Sequence, residues 1–241
     1  MARLARVVIP GLAHHVTQRG NGRQQVFFSD GDYALYLRLL RDACATARVR
    51  CLAFCLMPNH VHVILIPATD DGLRNCLATV HRAYAGRLNS RRHVTGHVWQ
   101  GRFGSVPMDD AHLYEALRYV LLNPVRARLV LSAASWRWSS ARAYLTGVDD
   151  GITNRSRMRR VIPDMAAYLG EPPDVERVAR LRAGETIGRP AVEADVVARL
   201  EEYTGRRLRP GKRGPKPRSV VQRPTVLRAA ERGEQLRALS P

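Results

Sequence analysis

Two histidines, His60 and His62, lie two residues apart in the segment Asn59–Ile66, which reads NHVHVILI. Valine and isoleucine runs favour a β-strand, and the Pro58–Asn59 dipeptide before them is typical of a turn. Side chains alternate faces along a strand, so both imidazoles point the same way, with Cα atoms roughly 6.6 Å apart. Two such imidazoles can bind one divalent cation. A hydrogen-bonded or solvent-facing pair fits the same pattern, so the assignment depends on residues elsewhere.

A tyrosine and an asparagine lie further along the chain, in a predicted third helix over His112–Asn123. Tyr119 and Asn123 are four residues apart and therefore share one helix face. If that face meets the histidine strand, it adds an amide oxygen and a phenol, a set that suits Mg²⁺ or Mn²⁺. Taken singly, Tyr119 also fits a half-buried core residue and Asn123 a helix end. A phenol beside a cation can act as a nucleophile. Tyr114 is the alternative to Tyr119 in this role, but it has no asparagine four residues later.

The elements that must position these residues alternate in a recognisable order: strand, helix, strand, strand, helix, strand, helix. That order predicts an α+β fold, the ferredoxin-like split βαβ sandwich, with an antiparallel sheet and helices on one face. The first and third strands of this topology are usually central, which would place the histidine strand mid-sheet. The predicted elements are strand His14–Arg19, helix Gly31–Arg48, strands Arg50–Met57 and His60–Ile66, helix Asp71–Leu88, loop Asn89–Gly101, strand Phe103–Met108 and helix His112–Asn123.

The rest of the chain divides by composition into an extension and a tail. We expect a catalytic domain over 1–130, a mainly helical extension over 131–205 and a basic tail over 206–241. Two helices are predicted in the extension, Pro163–Ala183 and Ala191–Thr204. Arg206–Arg218 holds seven basic residues in thirteen and no acidic one. Such a segment cannot bury a core and should be disordered when free.

Charge and cysteine usage narrow the classes of partner and compartment. The chain carries 39 Lys+Arg against 21 Asp+Glu, a formal net charge of +18, which points to nucleic acid. Its four cysteines fit a reducing compartment, and Cys51 and Cys55 would lie roughly 13 Å apart on one strand, too far to share a zinc ion. No signal peptide or membrane span is apparent. We expect a cytoplasmic, nucleoid-associated protein with no membrane partner.

Four motifs give the chain a family resemblance between about Ile9 and Tyr144. PNHVHVIL resembles the HUH motif, in which a bulky hydrophobic residue separates two histidines. HHVTQRGNGR, GHVWQGRF and RYVLLNPVRARLV occur with it in the appropriate order. Together they resemble the REP-associated tyrosine transposases, members of the HUH single-tyrosine transposase superfamily and relatives of insertion-sequence enzymes that move single-stranded DNA.

This resemblance implies a mechanism and a substrate. His60, His62 and Asn123 would bind Mg²⁺ or Mn²⁺, and Tyr119 would attack a DNA phosphodiester, forming a 5′-phosphotyrosine and freeing a 3′-OH without ATP. The substrate would be single-stranded or hairpin DNA. Trp99, Gln100 and Arg102 would either handle DNA or shape the site. The residues expected to contact DNA are Arg19, Arg23, Trp99, Gln100, Arg102 and Arg126.

A second hypothesis comes from a different class: a catalytically silent regulator that binds hairpin nucleic acid. The intact set of His60, His62, Tyr119 and Asn123 argues against it, because binding alone needs no nucleophile. The sequence leaves open whether the protein is a monomer or a homodimer, and hence whether the tyrosine meets the histidines of its own chain.

Overall fold

Four strands form one antiparallel sheet in a computed structural model that describes residues 6–209, apart from the side chains of 186 and 187. The strands are β1 (Ala13–Arg19), β2 (Val49–Met57), β3 (His60–Pro67) and β4 (Gly104–Met108), in the spatial order β2-β3-β1-β4. The α+β class and the central position of the first and third strands are therefore confirmed. The histidine strand β3 pairs with a neighbour on each side.

α-Helices connect the strands and follow the last of them. In the described part of the chain they are α1 (Asp30–Thr46), α2 (Gly72–Arg92), α3 (Asp110–Leu121), α4 (Asn123–Arg126), α5 (Ala141–Thr146), α6 (Ser156–Val161), α7 (Met165–Gly170), α8 (Val175–Ile187) and α9 (Ala194–Thr204).

The pair α1 and α2 packs on one face of the sheet, which we call the aromatic face. From β3, the side chains of Val61, Val63 and Leu65 enter this core. Tyr36 and Tyr84 from the two helices are fully buried against them. Helix α1 begins with a capping box between the Ser29 and Asp32 side chains and backbone, which fixes where it starts.

The opposite face, which we call the site face, is covered by α3 and by helices of the extension. Ile64 and Ile66 of β3 pack there with Leu117 and Val120 of α3. The expectation that helices cover only one face is therefore wrong. Because β3 is apolar at both its odd and its even positions from Val63 onward, each face must be removed from water.

Three predicted boundaries also need correction. Helix α2 continues to Arg92 and ends where His93 takes a left-handed conformation (φ 52°), so the following loop is shorter than predicted. Helix α3 ends at Leu121, and Asn123 begins the separate short helix α4 because Pro124 cannot continue the hydrogen-bond ladder. The predicted helix 163–183 is two helices, α7 and α8, interrupted at Pro172–Pro173.

The extension packs directly on the site face. Met158, Ile162, Met165 and Leu181 are buried in the same cluster as α3. The predicted division into domains at residue 130 stays a prediction. Of the predicted basic tail, residues 210–241 lie outside the described residues, and with them most of Arg206–Arg218. None of the helices within residues 6–209 is both long and apolar enough to cross a membrane.

Candidate metal centre and tyrosine site

Strand alternation collects the polar residues of β1 and β3 on the site face. In the sheet register, Thr17 lies opposite His62 and Arg19 opposite His60. His15, two residues before Thr17, therefore projects from the same face and reaches His62 diagonally. Our sequence prediction did not assign His15 to the site. The signal was present, because His15 follows the same period-two alternation within the predicted first strand.

The orientation of the His60 ring is fixed by its neighbour. The Asn59 side-chain amide donates through Nδ2 to the carbonyl oxygen of Arg23 at 3.1 Å, so its Oδ1 is an acceptor. His60 Nδ1, 2.6 Å from that oxygen, must then carry the proton. Its Nε2 is left with a lone pair for a ligand, the state that metal binding requires. Burial, helped by the Arg19 charge, lowers the pKa of His60 to about 4 and keeps the ring neutral.

His62 is hydrogen-bonded to His15 in the interior of the site. His15 Nε2 lies 3.0 Å from His62 Nδ1, and the two ring planes are within 7° of parallel. Burial, then the neighbouring histidines and arginines, holds the pKa of His62 well below its usual range. Burial also lowers the pKa of His15 to about 3. Both rings are therefore neutral at physiological pH and share a single proton between the two facing nitrogens.

Glu185 of α8 extends this pair from the extension. Its Oε1 lies 3.5 Å from His15 Nδ1, and both atoms are buried without a hydrogen-bond partner. Burial raises the pKa of Glu185 to about 7, although Arg19, Arg182 and Arg126 oppose the shift. Our sequence prediction missed Glu185, because a glutamate in a helix more than a hundred residues downstream carries no local mark of this contact.

Tyr119 lies beside the histidines of its own chain. Its ring centroid is 5.5 Å from that of His62 and 6.0 Å from that of His15, both edge-on. The guanidinium groups of Arg126 and Arg182 lie over the phenol ring, at 3.9 and 5.3 Å from its centroid. Tyr119 is 9% exposed, so its ring is largely packed and little of it is accessible to a substrate.

The alternative nucleophile is directed elsewhere. The Tyr114 ring packs against that of Tyr168 at 6.5 Å, and its carbonyl accepts a hydrogen bond from the Tyr168 hydroxyl. Asn123 is buried at the start of α4, where its carbonyl accepts from the Ala127 N–H. Among the described residues, the Asn123 side chain makes no hydrogen bond with His60 or His62. The structure thus pairs Tyr119 with the histidines, and the part of Asn123 in metal binding stays a prediction.

A basic cavity of about 390 Å³ opens beside the two histidines. Four of the six predicted DNA-contacting residues are exposed there: Arg19, Arg23, Gln100 and Arg102. Arg126 lies instead over Tyr119. Among the other residues of the cavity wall are Arg6, His60, His62 and Glu185.

Trp99 is buried in the aromatic face and has no free ring face for a base. Its indole N–H donates to the carbonyl of His81 at 3.1 Å, and its ring packs against those of Tyr36 and Tyr84. Burial of this ring argues against direct contact of Trp99 with DNA, and its other expected role, that of shaping the site, stays a prediction. The next residue, Gln100, donates its backbone N–H to the carbonyl of Arg19 and so ties this loop to the end of β1.

The donor set fits a divalent cation. His60 and His62 line the cavity, and each has Nδ1 already hydrogen-bonded, so Nε2 is the atom left for a ligand. His15, His62 and Glu185 also offer donor atoms within 4.8 Å of one another. Neutral imidazoles with a nearby carboxylate are ligands that Mn²⁺ and, less strongly, Mg²⁺ accept.

Comparison with known proteins agrees with this arrangement. Residues 9–122 match the family model described as "Transposase IS200 like". Those residues are similar to the IS200-like transposase family. The match contains the sheet, both histidines and Tyr119, and it ends one residue before Asn123. The resemblance inferred from the four sequence motifs is thereby confirmed.

One curated relative and two solved structures extend the comparison. A Haemophilus influenzae protein named "Putative REP-associated tyrosine transposase" is 25% identical over 111 residues, covering 42% of this chain and 63% of its own length. A structure of a REP-associated tyrosine transposase bound to a REP hairpin is 19% identical (TM-score 0.49; 64% of this chain and 92% of that one). A Deinococcus radiodurans structure titled as a "putative transposase" is also 19% identical (TM-score 0.35; 53% and 92%).

Proposed function

We propose that this protein is a divalent-metal-dependent transposase that nicks and joins single-stranded hairpin DNA through Tyr119. The observation that carries the proposal is the position of the Tyr119 ring, 5.5 Å from the ring of His62, a histidine that lines a basic cavity. Phenol and imidazoles come from one chain, so a second copy is not needed to complete the site. Whether the protein forms a homodimer stays a prediction.

The chain's own residues would supply the nucleophile and its electrostatic setting. The Tyr119 oxygen forms a bond to phosphorus while the bond from phosphorus to the 3′ oxygen breaks; the phenol proton passes to solvent, and the 3′ oxygen takes a proton to become the 3′-OH. The guanidinium groups of Arg126 and Arg182, which lie over the ring, would attract the phosphate. A bound Mg²⁺ or Mn²⁺ would orient the phosphate and offset charge on the leaving oxygen.

The cavity would bind the DNA strand. Exposed Arg19, Arg23 and Arg102 provide positive charge along it, which suits a phosphate backbone, and Gln100 adds hydrogen-bonding capacity. The curated relative is named as REP-associated, which supports DNA of REP sequence as the first substrate to try. We place the reaction in the cytoplasm, in association with the nucleoid, where the DNA is and where the four cysteines would stay as the free thiols the structure shows.

A covalent assay tests the proposal. Labelled single-stranded hairpin DNA is incubated with the protein and Mn²⁺, and adducts are separated on a denaturing gel. Wild type should give a protein–DNA adduct, Tyr119→Phe none, and chelator should abolish it. Tyr114→Phe is the matched control, because it removes a hydroxyl on the same helix and should leave the adduct intact. An adduct that survives Tyr119→Phe would overturn the assignment of the nucleophile.

The second candidate, a silent binder of hairpin nucleic acid, is favoured by one observation. Tyr119 is 9% exposed and is not part of the cavity wall, so a substrate must reach it by displacing neighbours. Tight hairpin binding without an adduct on any hairpin substrate would select this function.

A further inference from the structure

The two cavity histidines differ in what fixes their protons. For His60, the Asn59 amide decides the tautomer, because its nitrogen is committed to the Arg23 carbonyl. For His62, the partner is another imidazole, and either His15 or His62 could donate across the 3.0 Å contact. Only one of these two arrangements leaves His62 Nε2 unprotonated and able to bind a metal. Something beyond the pair must select it.

Glu185 is placed to make that selection. In its ionised form, which predominates above about pH 7, Glu185 accepts hydrogen bonds and favours a proton on the nearest nitrogen, His15 Nδ1, 3.5 Å away. A neutral His15 protonated at Nδ1 has a lone pair at Nε2 and must accept from His62 Nδ1. His62 then presents an unprotonated Nε2 to the cavity. Because His15 Nδ1 and Glu185 Oε1 are both buried and otherwise unpartnered, a small rotation that closes their contact would satisfy both atoms.

Two glycines allow the end of α8 that carries Glu185 to lie close to the sheet. At Gly104 of β4, a Cβ atom would lie 2.9 Å from the Glu185 carbonyl oxygen and 2.9 Å from Thr17 Oγ1. At Gly184 of α8, a Cβ atom would lie 3.0 Å from both methyl carbons of Val106. The absence of side chains at these two glycines lets the end of α8 approach the sheet closely beside His15. The close approach of Glu185 to His15 thus depends on one glycine in β4 and one in α8.

We propose that Glu185, acting through His15, is a positioning residue that sets the tautomer and orientation of His62 for metal binding. The inference rests on the proposed metal-dependent function and deepens it, since it makes a helix of the extension part of the catalytic centre. The alternative is that His15 and Glu185 themselves bind the ion, because their donor atoms lie within 4.8 Å of His62. The two arrangements predict different coupling between the residues.

Mn²⁺ affinity of the full-length protein, measured by calorimetry without DNA, separates them. Outer partners of metal ligands typically contribute 10–100-fold to affinity, so we expect Glu185→Gln to weaken Mn²⁺ binding by about that factor. His15→Gln keeps an acceptor for His62 but cuts the link to Glu185, and should give a similar loss. The double variant should be no weaker than either single one. Glu176→Gln, on an exposed part of the same helix, is the control and should bind as wild type does.

Additive losses in the double variant would overturn the relay in favour of direct ligation. So would Mn²⁺ affinity in Glu185→Gln equal to that of the control. Imidazole ¹⁵N spectra of the metal-free protein give an independent readout: His62 should carry its proton on Nδ1 in wild type, and a proton on Nε2 would refute the proposal. Wild type that binds Mn²⁺ but forms no DNA adduct would refute the proposed function alone, because these readouts need no DNA.

Discussion

Both faces of the sheet are buried, but they differ in how their polar groups are hydrogen-bonded. On the aromatic face, His81 accepts a hydrogen bond from the Tyr36 hydroxyl at 3.0 Å, and His14 is bonded at both nitrogens. On the site face, His15 and Glu185 each keep a buried atom without a partner. Buried histidines thus occur on both faces, and only those with an unused nitrogen near the cavity mark the site.

The strand β3 shows how one segment serves both faces. Its odd residues Val61, Val63 and Leu65 enter the aromatic core, while its even residues begin with His60 and His62 and end with Ile64 and Ile66. Chemistry is therefore confined to one end of one face. Substitutions on the site face should lower adduct formation, whereas substitutions on the aromatic face should lower stability.

The largest contrast is expected between His62→Ala and His81→Ala. If His62 is a metal ligand, as we propose, its loss removes several kcal/mol of transition-state stabilisation, and adduct formation should fall about 1,000-fold. Loss of His81 leaves the fully buried Tyr36 hydroxyl unpaired and should destabilise the fold by about 1–3 kcal/mol. Urea unfolding and the adduct assay, run on both variants, measure the two effects.

The comparison fails if His81→Ala lowers adduct formation per folded molecule as strongly as His62→Ala does. Assays at a temperature well below the unfolding transition of both variants exclude a loss of activity through unfolding.

Acid should destabilise the fold through its buried neutral histidines, which lie on both faces of the sheet; His14 and His81 are those of the aromatic face. Burial lowers the pKa of His14 to about 4 and that of His81 to about 3, against 6.5 in the unfolded chain. The unfolded state therefore binds more protons as pH falls below 6.5, and stability is lost between that pH and about 4. His14 alone accounts for roughly 3 kcal/mol over this window.

Urea unfolding at a series of pH values between 7.5 and 4.5 checks this dependence. His81→Gln should flatten it, because one titrating group is removed while a hydrogen-bonding side chain is kept. A stability that stays constant down to pH 5 in wild type would contradict the assignment of these histidines as neutral in the fold.

Local pattern predicted the site only as far as local pattern reaches. The alternation of His60 and His62, and the position of Tyr119 on a helix, follow from neighbouring residues, and the structure brings these three side chains together. Asn123 was expected on the same helix face as Tyr119, but Pro124 ends α3 at Leu121. The position of Glu185 depends on a close approach of α8 to β4, which Gly184 and Gly104 permit but which no local periodicity predicts. The sequence prediction placed helices on one face only. Which face of the sheet a helix covers depends on the tertiary arrangement, so the layer formed by α3 and the extension was not predicted.

The smallest effect is expected for single arginines on the protein surface, one in the cavity and one on the aromatic side. Arg102 is exposed in the cavity, whereas Arg74 on α2 is exposed on the aromatic side, where its partner is Asp71 at 3.7 Å. If the cavity binds the DNA backbone, Arg102→Ala should weaken hairpin binding several-fold and reduce the slope of log K against log salt by about 0.7, the value for one phosphate contact on a single strand. Arg74→Ala should change neither quantity. Fluorescence anisotropy over a range of salt concentrations measures both quantities. A charge that contacts a phosphate releases a counterion from the DNA, so its loss must reduce the slope. Equal slopes for the two variants would therefore show that Arg102 makes no phosphate contact and would argue against DNA binding in the cavity.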